Sequence, residues 1–466
     1  MKKLHERGLF IFHRDLRIID NVGLIQAFIE CERVYTCFIF TPEQVGSGNT
    51  YRSQNAIQFM MESLEELATD IRKNGGELIV LYGDPTTMSR VLITTLGVSA
   101  VFVNKDYSPY ALTREKSLST LCKSHQIAYV ETSDYYLYEP GSITTTTGKY
   151  YQKFTPFYNT VVHKKVPGVY PVFKRYFDKL SKYSGKIAHE TTIREMYAKY
   201  VRVENDHILV HGGREIGLQR LRRALREQKQ YSEDRDQLTY ETTALSAYIK
   251  FGCVSIREVY HAFVKTYGVS SGIIRELIWR EFFVHVLFGF PRVLDGYTYK
   301  GVSWRRSKSD FEKWKRGQTG FPIVDACMRQ MNQTGYMHNR GRMIVANFLV
   351  KTLLIDWKWG EKYFAQTLTD YDVASNNGNW QGISGTGVDQ KPYFRDMNPW
   401  IQSVKFDTNA VFVKRWVPEL MDVSPKEIHK WDLYWNDAKH RDIQYTKPMV
   451  FYSEQKTKML EMYRDA

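Results

Sequence analysis

Cysteine is scarce and poorly placed for chemistry. The five residues, Cys31, Cys37, Cys122, Cys253 and Cys327, are scattered and odd in number, and no two form a CxxC pair. Neither a disulfide framework nor a zinc or iron–sulfur site is expected, and the chain reads as belonging to a reducing, intracellular compartment. Long apolar runs are also missing: none approaches the ~20 residues that a membrane-spanning helix needs. The first residues, MKKLHERGLFIFHRDLR, carry lysines but no apolar core or small-residue cleavage site, so no secretory signal is expected. No GxGxxG follows a predicted strand, which leaves no independent argument for a dinucleotide. No internal repeat is present.

What is abundant is positive charge and aromatic surface. Lys and Arg number 65 against 51 Asp and Glu, a formal net charge of +14. Such a surplus points to polyanion partners, nucleic acid first and an anionic membrane surface second. Aromatic residues make up 14% of the chain, with 10 Trp, 32 Tyr and 25 Phe. That excess suits planar ligands held by stacking, or simply a large aromatic core. At 466 residues, two domains are expected.

Over the first 130 or so residues strand and helix patterns alternate. Short apolar runs at Gly8–Phe12, Val34–Phe40, Leu78–Tyr82, Ala100–Asn104 and Ile127–Glu131 predict buried strands. Gln54–Lys73 keeps helical spacing through Ile57, Met60, Met61, Leu64, Leu67 and Ile71. This order predicts an α/β domain over 1–132 with a doubly wound parallel sheet, Rossmann-like in build. Residues 133–205, with Pro140, Pro156, Pro167, Pro171 and the basic run His163–Lys165, read as a long connector. From 206 to 466 helical periodicity dominates, as in Ile216–Gln228 and Val324–Thr334, and predicts an all-α domain.

Unusual residues cluster between Glu276 and Arg395. Asp370–Trp380, DYDVASNNGNW, is poor in helix formers and reads as a polar loop, either built of Asx turns or lining a cavity. His338–Met343, HNRGRM, places Arg340 and Arg342 near the start of a helix predicted over Met343–Ile355. Basic residues there oppose the macrodipole, and an anionic ligand or a pair with Asp370 or Asp372 would offset the cost. In ELIWR, Glu276 and Trp279 share one helix face. Buried, such a Glu is a candidate for a raised pKa and for bonding a substrate carbonyl; exposed, it is ordinary.

At this point the sequence resembles the DNA photolyase/cryptochrome family. The likeness is carried by Thr319–Leu354, TGFPIVDACMRQMNQTGYMHNRGRMIVANFLVKTLL, then IDWKWGEKYF, DYDVASNNGNWQ, PYFRDMNP, KFD and RWVPEL. Upstream, Thr242–Ser255, TTALSAYIKFGCVS, is similar to the family's FAD-phosphate segment, and Phe12–Leu24, FHRDLRIIDNVGL, to its N-terminal signature. The resemblance implies an α/β antenna domain, a connector and a helical domain holding FAD, which as FADH⁻ gives a photoexcited electron to a pyrimidine dimer in DNA. It implies cofactor contacts at Tyr231, Thr242, Thr243, Leu245, Ser246, Arg280, Asn339, Arg342, Asp370 and Asp372, with Asn376 facing flavin N5. Trp314, Trp357 and Trp380 match the tryptophan chain from surface to flavin. Glu276, Asn339 and Met343 match lesion contacts, Trp279 the aromatic against which the dimer packs, and Arg340 and Arg395 the DNA-binding rim. No resident metal is implied.

Within the family, Asn339 and Met343 stand where (6-4) photolyases carry histidines, so cyclobutane pyrimidine dimers are the expected substrate. Asn376 is the photolyase choice, whereas plant cryptochromes carry Asp and insect-type ones Cys. A cryptochrome-like photoreceptor or (6-4) repair is the alternative. The Arg415–Leu420 motif lies so near Ala466 that no long signalling tail is expected. Gly382 stands where bacterial dimer photolyases carry a second Trp, Tyr336 where they carry Trp, and Ala247 where they carry Pro. The segment Asp106–Arg114, DYSPYALTR, lacks a folate-holding Asn-Glu pair and looks more like relatives using a deazaflavin, or no antenna. The expected partner is UV-damaged DNA, double- or single-stranded, bound by a monomer.

Overall fold

Apolar runs bounded by polar turns become the strands of a single sheet. β1 (His5–Phe12), β2 (Cys31–Phe40), β3 (Leu78–Tyr82), β4 (Ala100–Asn104) and β5 (Ala128–Thr132) pair in parallel in the order β3-β2-β1-β4-β5. The central strands are buried on both faces, so they read as continuous apolar runs rather than as alternation. β2 begins before its predicted start because its first turn-side residues, Glu32 and Arg33, are exposed. At Gly8, β1 pairs with Val34 on one side and Ala100 on the other, and a Cβ there would lie 2.5 Å from the Cys31 sulfur. The computed structural model describes residues 4–295, 301–389 and 396–464.

The chain divides into two units. The first comprises Met1–Glu204, Val210–Glu227 and Thr243–Phe288; the second comprises Asn205–Leu209, Gln228–Thr242 and Gly289–Ala466. In the first, helix Gln54–Lys73 is capped by Ser53 and buries Leu64, Leu67 and Ile71. The segment 133–205 carries three short helices, Phe154–Val161, Lys174–Phe177 and Ile193–Tyr200. Helix Ile256–Tyr267 is tied into this unit by charge. Its Arg257 bonds Asp20 and Asp134, and Arg17 bonds Asp134 from the other side at 2.6 and 2.8 Å. Burial alone would raise the pKa of Asp134, but the two guanidinium groups outweigh it and hold the carboxyl below its ordinary value.

The second unit is helical, and among the described residues no strand follows β5. Helices Lys308–Arg316, Pro322–Thr334, Trp357–Thr367 and Val373–Ser384 enclose a core containing Trp314, Phe321, Phe348, Leu349 and Trp357. Two local expectations fail here. The predicted polar loop Asp370–Trp380 is instead largely helix from Val373 onward. Asp372 caps it by accepting from the Ser375 amide at 3.0 Å, and Gln381 donates to Asn377 one turn earlier. The helix predicted over Met343–Ile355 starts earlier and splits into an α-helix over Asn339–Asn347 and a π-helical turn over Phe348–Thr352. No helix among the described residues is long and apolar enough to cross a membrane.

Candidate active site

In the second unit, helix Asn339–Asn347 starts at His338, whose Nδ1 accepts from the Arg340 amide at 3.1 Å. Burial lowers the pKa of His338 to about 4, so the cap is a neutral imidazole near neutral pH. Arg342 donates through Nε to the Met337 carbonyl and through a terminal nitrogen to both Asp370 oxygens, at 3.1 and 2.9 Å. The ion pair that the sequence left open between Asp370 and Asp372 therefore forms with Asp370. Helices Asn339–Asn347 and Val373–Ser384 pack against each other, which sets this pair beside the first turn after Asp372.

Asn376 lies one turn into the second of these helices. Its amide nitrogen donates to the carbonyl and the carboxylate of Glu361, at 3.1 and 2.9 Å. Both N–H bonds are thus spent on Glu361, and the amide oxygen remains as the group's acceptor. Nothing in the sequence pattern singles out Glu361, a buried acid in an amphipathic helix. Nearby, the Tyr336 hydroxyl pairs with Thr242 at 3.0 Å, and Arg342 lies over the Tyr336 ring at 5.5 Å. Tyr231 is half-buried and Arg235 lies over its ring. Asn339 is exposed and Met343 half-buried, while Arg340 is paired with Asp236 and lies over Phe406 at 4.5 Å. Arg395 lies outside the described residues.

The expected surface end of the tryptophan chain needs correction. Trp314, Trp357 and Trp380 are exposed by only 0%, 1% and 2%, so Trp314 is not a surface terminus. Trp314 and Trp380 are ring neighbours at 6.3 Å, with Phe364 4.9 Å from Trp380. The partly exposed rings next to Trp314 are Phe311 and Tyr363, at 5.6 and 6.0 Å. Gly360 makes room for Trp380, since a Cβ there would come within 2.2 Å of the indole.

In the first unit, helix Gly272–Gly289 carries Glu276, Trp279 and Arg280. Glu276 is half-buried. Trp279 stacks face to face on Phe154, centroids 3.6 Å apart and planes within 4°. Arg280 is committed within this unit: it bonds the Tyr135 carbonyl at 2.7 Å and Glu281 at 3.0 Å, and lies over the Tyr136 ring. Burial raises the pKa of Glu281 to about 7 against the pull of Arg280 and of the Tyr138 and Leu137 amides. Ala244 turns the chain with φ of +48°, the Leu245 amide donates to the Thr243 hydroxyl, and Ser246 opens a short exposed-ended helix.

A five-stranded parallel sheet followed by a helical unit is the architecture of the light-driven flavoproteins to which comparison with known proteins assigns the chain. The chain belongs to the DNA photolyase/cryptochrome family. The family described as DNA photolyase matches residues 9–172, and the family described as the FAD binding domain of DNA photolyase matches residues 273–465. A deoxyribodipyrimidine photo-lyase of Synechococcus is 33% identical, over 90% of this chain and 89% of its own. The crystal structure of an archaeal photolyase from Sulfolobus tokodaii with two FAD molecules is 36% identical, with a TM-score of 0.86 over 99% of this chain and all of that one. That of a class III photolyase from Agrobacterium tumefaciens is 31% identical, with a TM-score of 0.90 over 100% and 98%.

Proposed function

We propose that the chain is a light-dependent, FAD-containing lyase that repairs cyclobutane pyrimidine dimers in DNA. The observation that carries the reading is the group Arg342, Asp370 and Asn376 within one helical unit. It offers a fixed cation, its counter-charge and an amide whose N–H groups are held by Glu361, leaving its oxygen as an acceptor for a planar heterocycle with alternating donors and acceptors. FAD, bound in reduced form, would supply the photoexcited electron that splits the dimer.

The remaining work falls to side chains. Arg342 would hold negative charge on the ring system, and Asn376 would accept from its N5–H. Asp372 would flank the ring edge, and Tyr231 and Thr242, in the same unit, would meet the rest of the cofactor. Glu276 and Asn339 would donate to or polarise the base carbonyls as charge develops there. Trp279 and Met343 give the extruded dimer apolar surfaces, and extrusion is cheapest where pairing is already damaged. The +14 charge, with Arg340 as a candidate backbone contact, suits DNA phosphates and would make binding salt-dependent. In this reading 1–132 is the antenna domain, 133–205 its connector and 206–466 the catalytic domain. The sheet reverses its order between β1 and β4, and an antenna, deazaflavin or folate, would sit beyond those strand ends. The enzyme would act as a monomer in a reducing compartment, in keeping with its five free, buried cysteines.

The test is repair of separately prepared cyclobutane and (6-4) substrates in light and in darkness. Repair of the cyclobutane substrate only when illuminated is expected; equal repair in the dark, or repair of the (6-4) substrate alone, refutes the reading. Trp380→Phe is expected to slow photoreduction of oxidised flavin about tenfold or more, while chemically pre-reduced enzyme keeps its repair yield. Transient absorption of the flavin bands measures the first quantity and dimer reversal at a fixed light dose the second.

A further inference from the structure

We propose that Phe154 and Arg275 are positioning residues that fix the plane of the Trp279 indole, ready to stack on a pyrimidine dimer turned out of DNA. The proposal rests on the role given to Trp279 above and extends it to two residues from different segments of the first unit.

The geometry is unusual. Aromatic pairs normally stack with an offset or meet edge to face, with centroids about 4.5–7 Å apart, because two electron-rich faces repel. Phe154 and Trp279 instead lie at 3.6 Å and 4°, close to a full sandwich. A compensating charge is present: the Arg275 guanidinium lies over the Phe154 ring at 5.0 Å and over Tyr158 at 4.8 Å. A cation over one ring draws down its π density, and a depleted ring stacks better on an electron-rich indole. Arg275 and Trp279 are four residues apart on helix Gly272–Gly289, so they sit on one face and close on Phe154 together.

The rest of the cage removes the other freedoms. Phe154 is buried, and Phe282 meets both Phe154 and Trp279 edge-on, at 5.8 and 5.7 Å. Phe283 lies against Trp279 at 5.5 Å. Trp279 nevertheless keeps part of its surface exposed. A half-exposed indole whose plane is set before any ligand arrives loses little entropy on stacking, which is the advantage of a preorganised site. Phe154 opens helix Phe154–Val161, so the connector segment places this ring.

The experiment uses the full-length holoenzyme labelled with 5-fluorotryptophan, the Trp279 fluorine resonance being assigned by its loss in Trp279→Phe. Phe154→Leu, which keeps an apolar side chain but no ring, is expected to shift and broaden that resonance; Phe154→Tyr is expected to restore it. With a single-stranded oligonucleotide bearing one cyclobutane dimer, Phe154→Leu should weaken binding about tenfold, the scale of one base–aromatic stack. KM should rise without a matching fall in kcat, and affinity for the undamaged oligonucleotide should hold. An unmoved resonance, equal losses on both oligonucleotides, or a moved resonance with unchanged dimer affinity overturns the proposal. If the wild-type enzyme itself fails to prefer the dimer, the functional reading fails instead, and the fluorine resonance still decides whether Phe154 orients the indole.

Discussion

Asp370→Ala is expected to leave the purified protein depleted of flavin, with FAD affinity reduced about tenfold. The pair it breaks joins a carboxylate that is almost wholly buried to a half-buried guanidinium. With Asp370 gone, Arg342 keeps its bond to the Met337 carbonyl but loses two charge-assisted contacts to the carboxylate. Bonds to charged groups contribute about 1.5–3 kcal/mol, and removing one partner of a buried pair costs about 3–5 kcal/mol. The partial exposure of Arg342 argues for the lower end, near 2–3 kcal/mol, shared between folding and flavin retention. Flavin absorbance after gel filtration gives the second share and urea unfolding of the stripped protein the first. Asp370→Asn keeps the shape and one acceptor and is expected to fall between the two. Asp372→Ala is the contrast for folding, because it removes the helix cap to Ser375, worth about 1 kcal/mol. If Asp370→Ala retains stoichiometric FAD, the ion pair is structural and the cofactor site has been misassigned.

The sequence shows some parts of this molecule far better than others, for physical reasons. β3 and β4 have their predicted bounds because their apolar runs start and stop with burial. Gln54–Lys73 is legible because a Ser cap and an apolar stripe agree. The segment after Asp370 misleads because Asp, Asn and Gly disfavour helix interiors by intrinsic propensity, whereas the cap at Asp372 and the packing of Trp380 override that weak preference. The resemblance finds Trp314 but cannot give its exposure, since residue type does not encode burial. The partners that orient the site, Glu361 behind Asn376 and Phe154 behind Trp279, are ordinary residues locally and gain meaning only from long-range contact. The same holds for the Arg257–Asp20 contact, which joins residues 237 apart.

That buried network gives the largest expected effect on stability: Asp134→Asn should cost the sheet-bearing unit about 3–5 kcal/mol. Arg17, Arg257 and Asp134 are all but inaccessible, so the substitution removes from between the two guanidinium groups the carboxylate that both of them bond. The pH dependence fixes the cause. Because the folded pKa of Asp134 lies below its unfolded value near 3.8, its contribution is fully present above that pH and is lost as pH falls through the folded value. The gap between wild type and Asp134→Asn should therefore stay wide near neutrality and narrow below about pH 4. Asp15 behaves oppositely. Burial first, then the charge of Asp134, raises its pKa to about 6, so it favours the folded state below its unfolded value and loses that contribution as pH rises through about 6. Asp134→Asn removes that repulsion, and the stability decline of the wild type between about pH 4 and pH 6 should flatten in the variant. Urea unfolding from pH 3 to pH 8 measures both trends. A constant gap across that range would mean that packing around the new amide, rather than the missing charge, sets the cost.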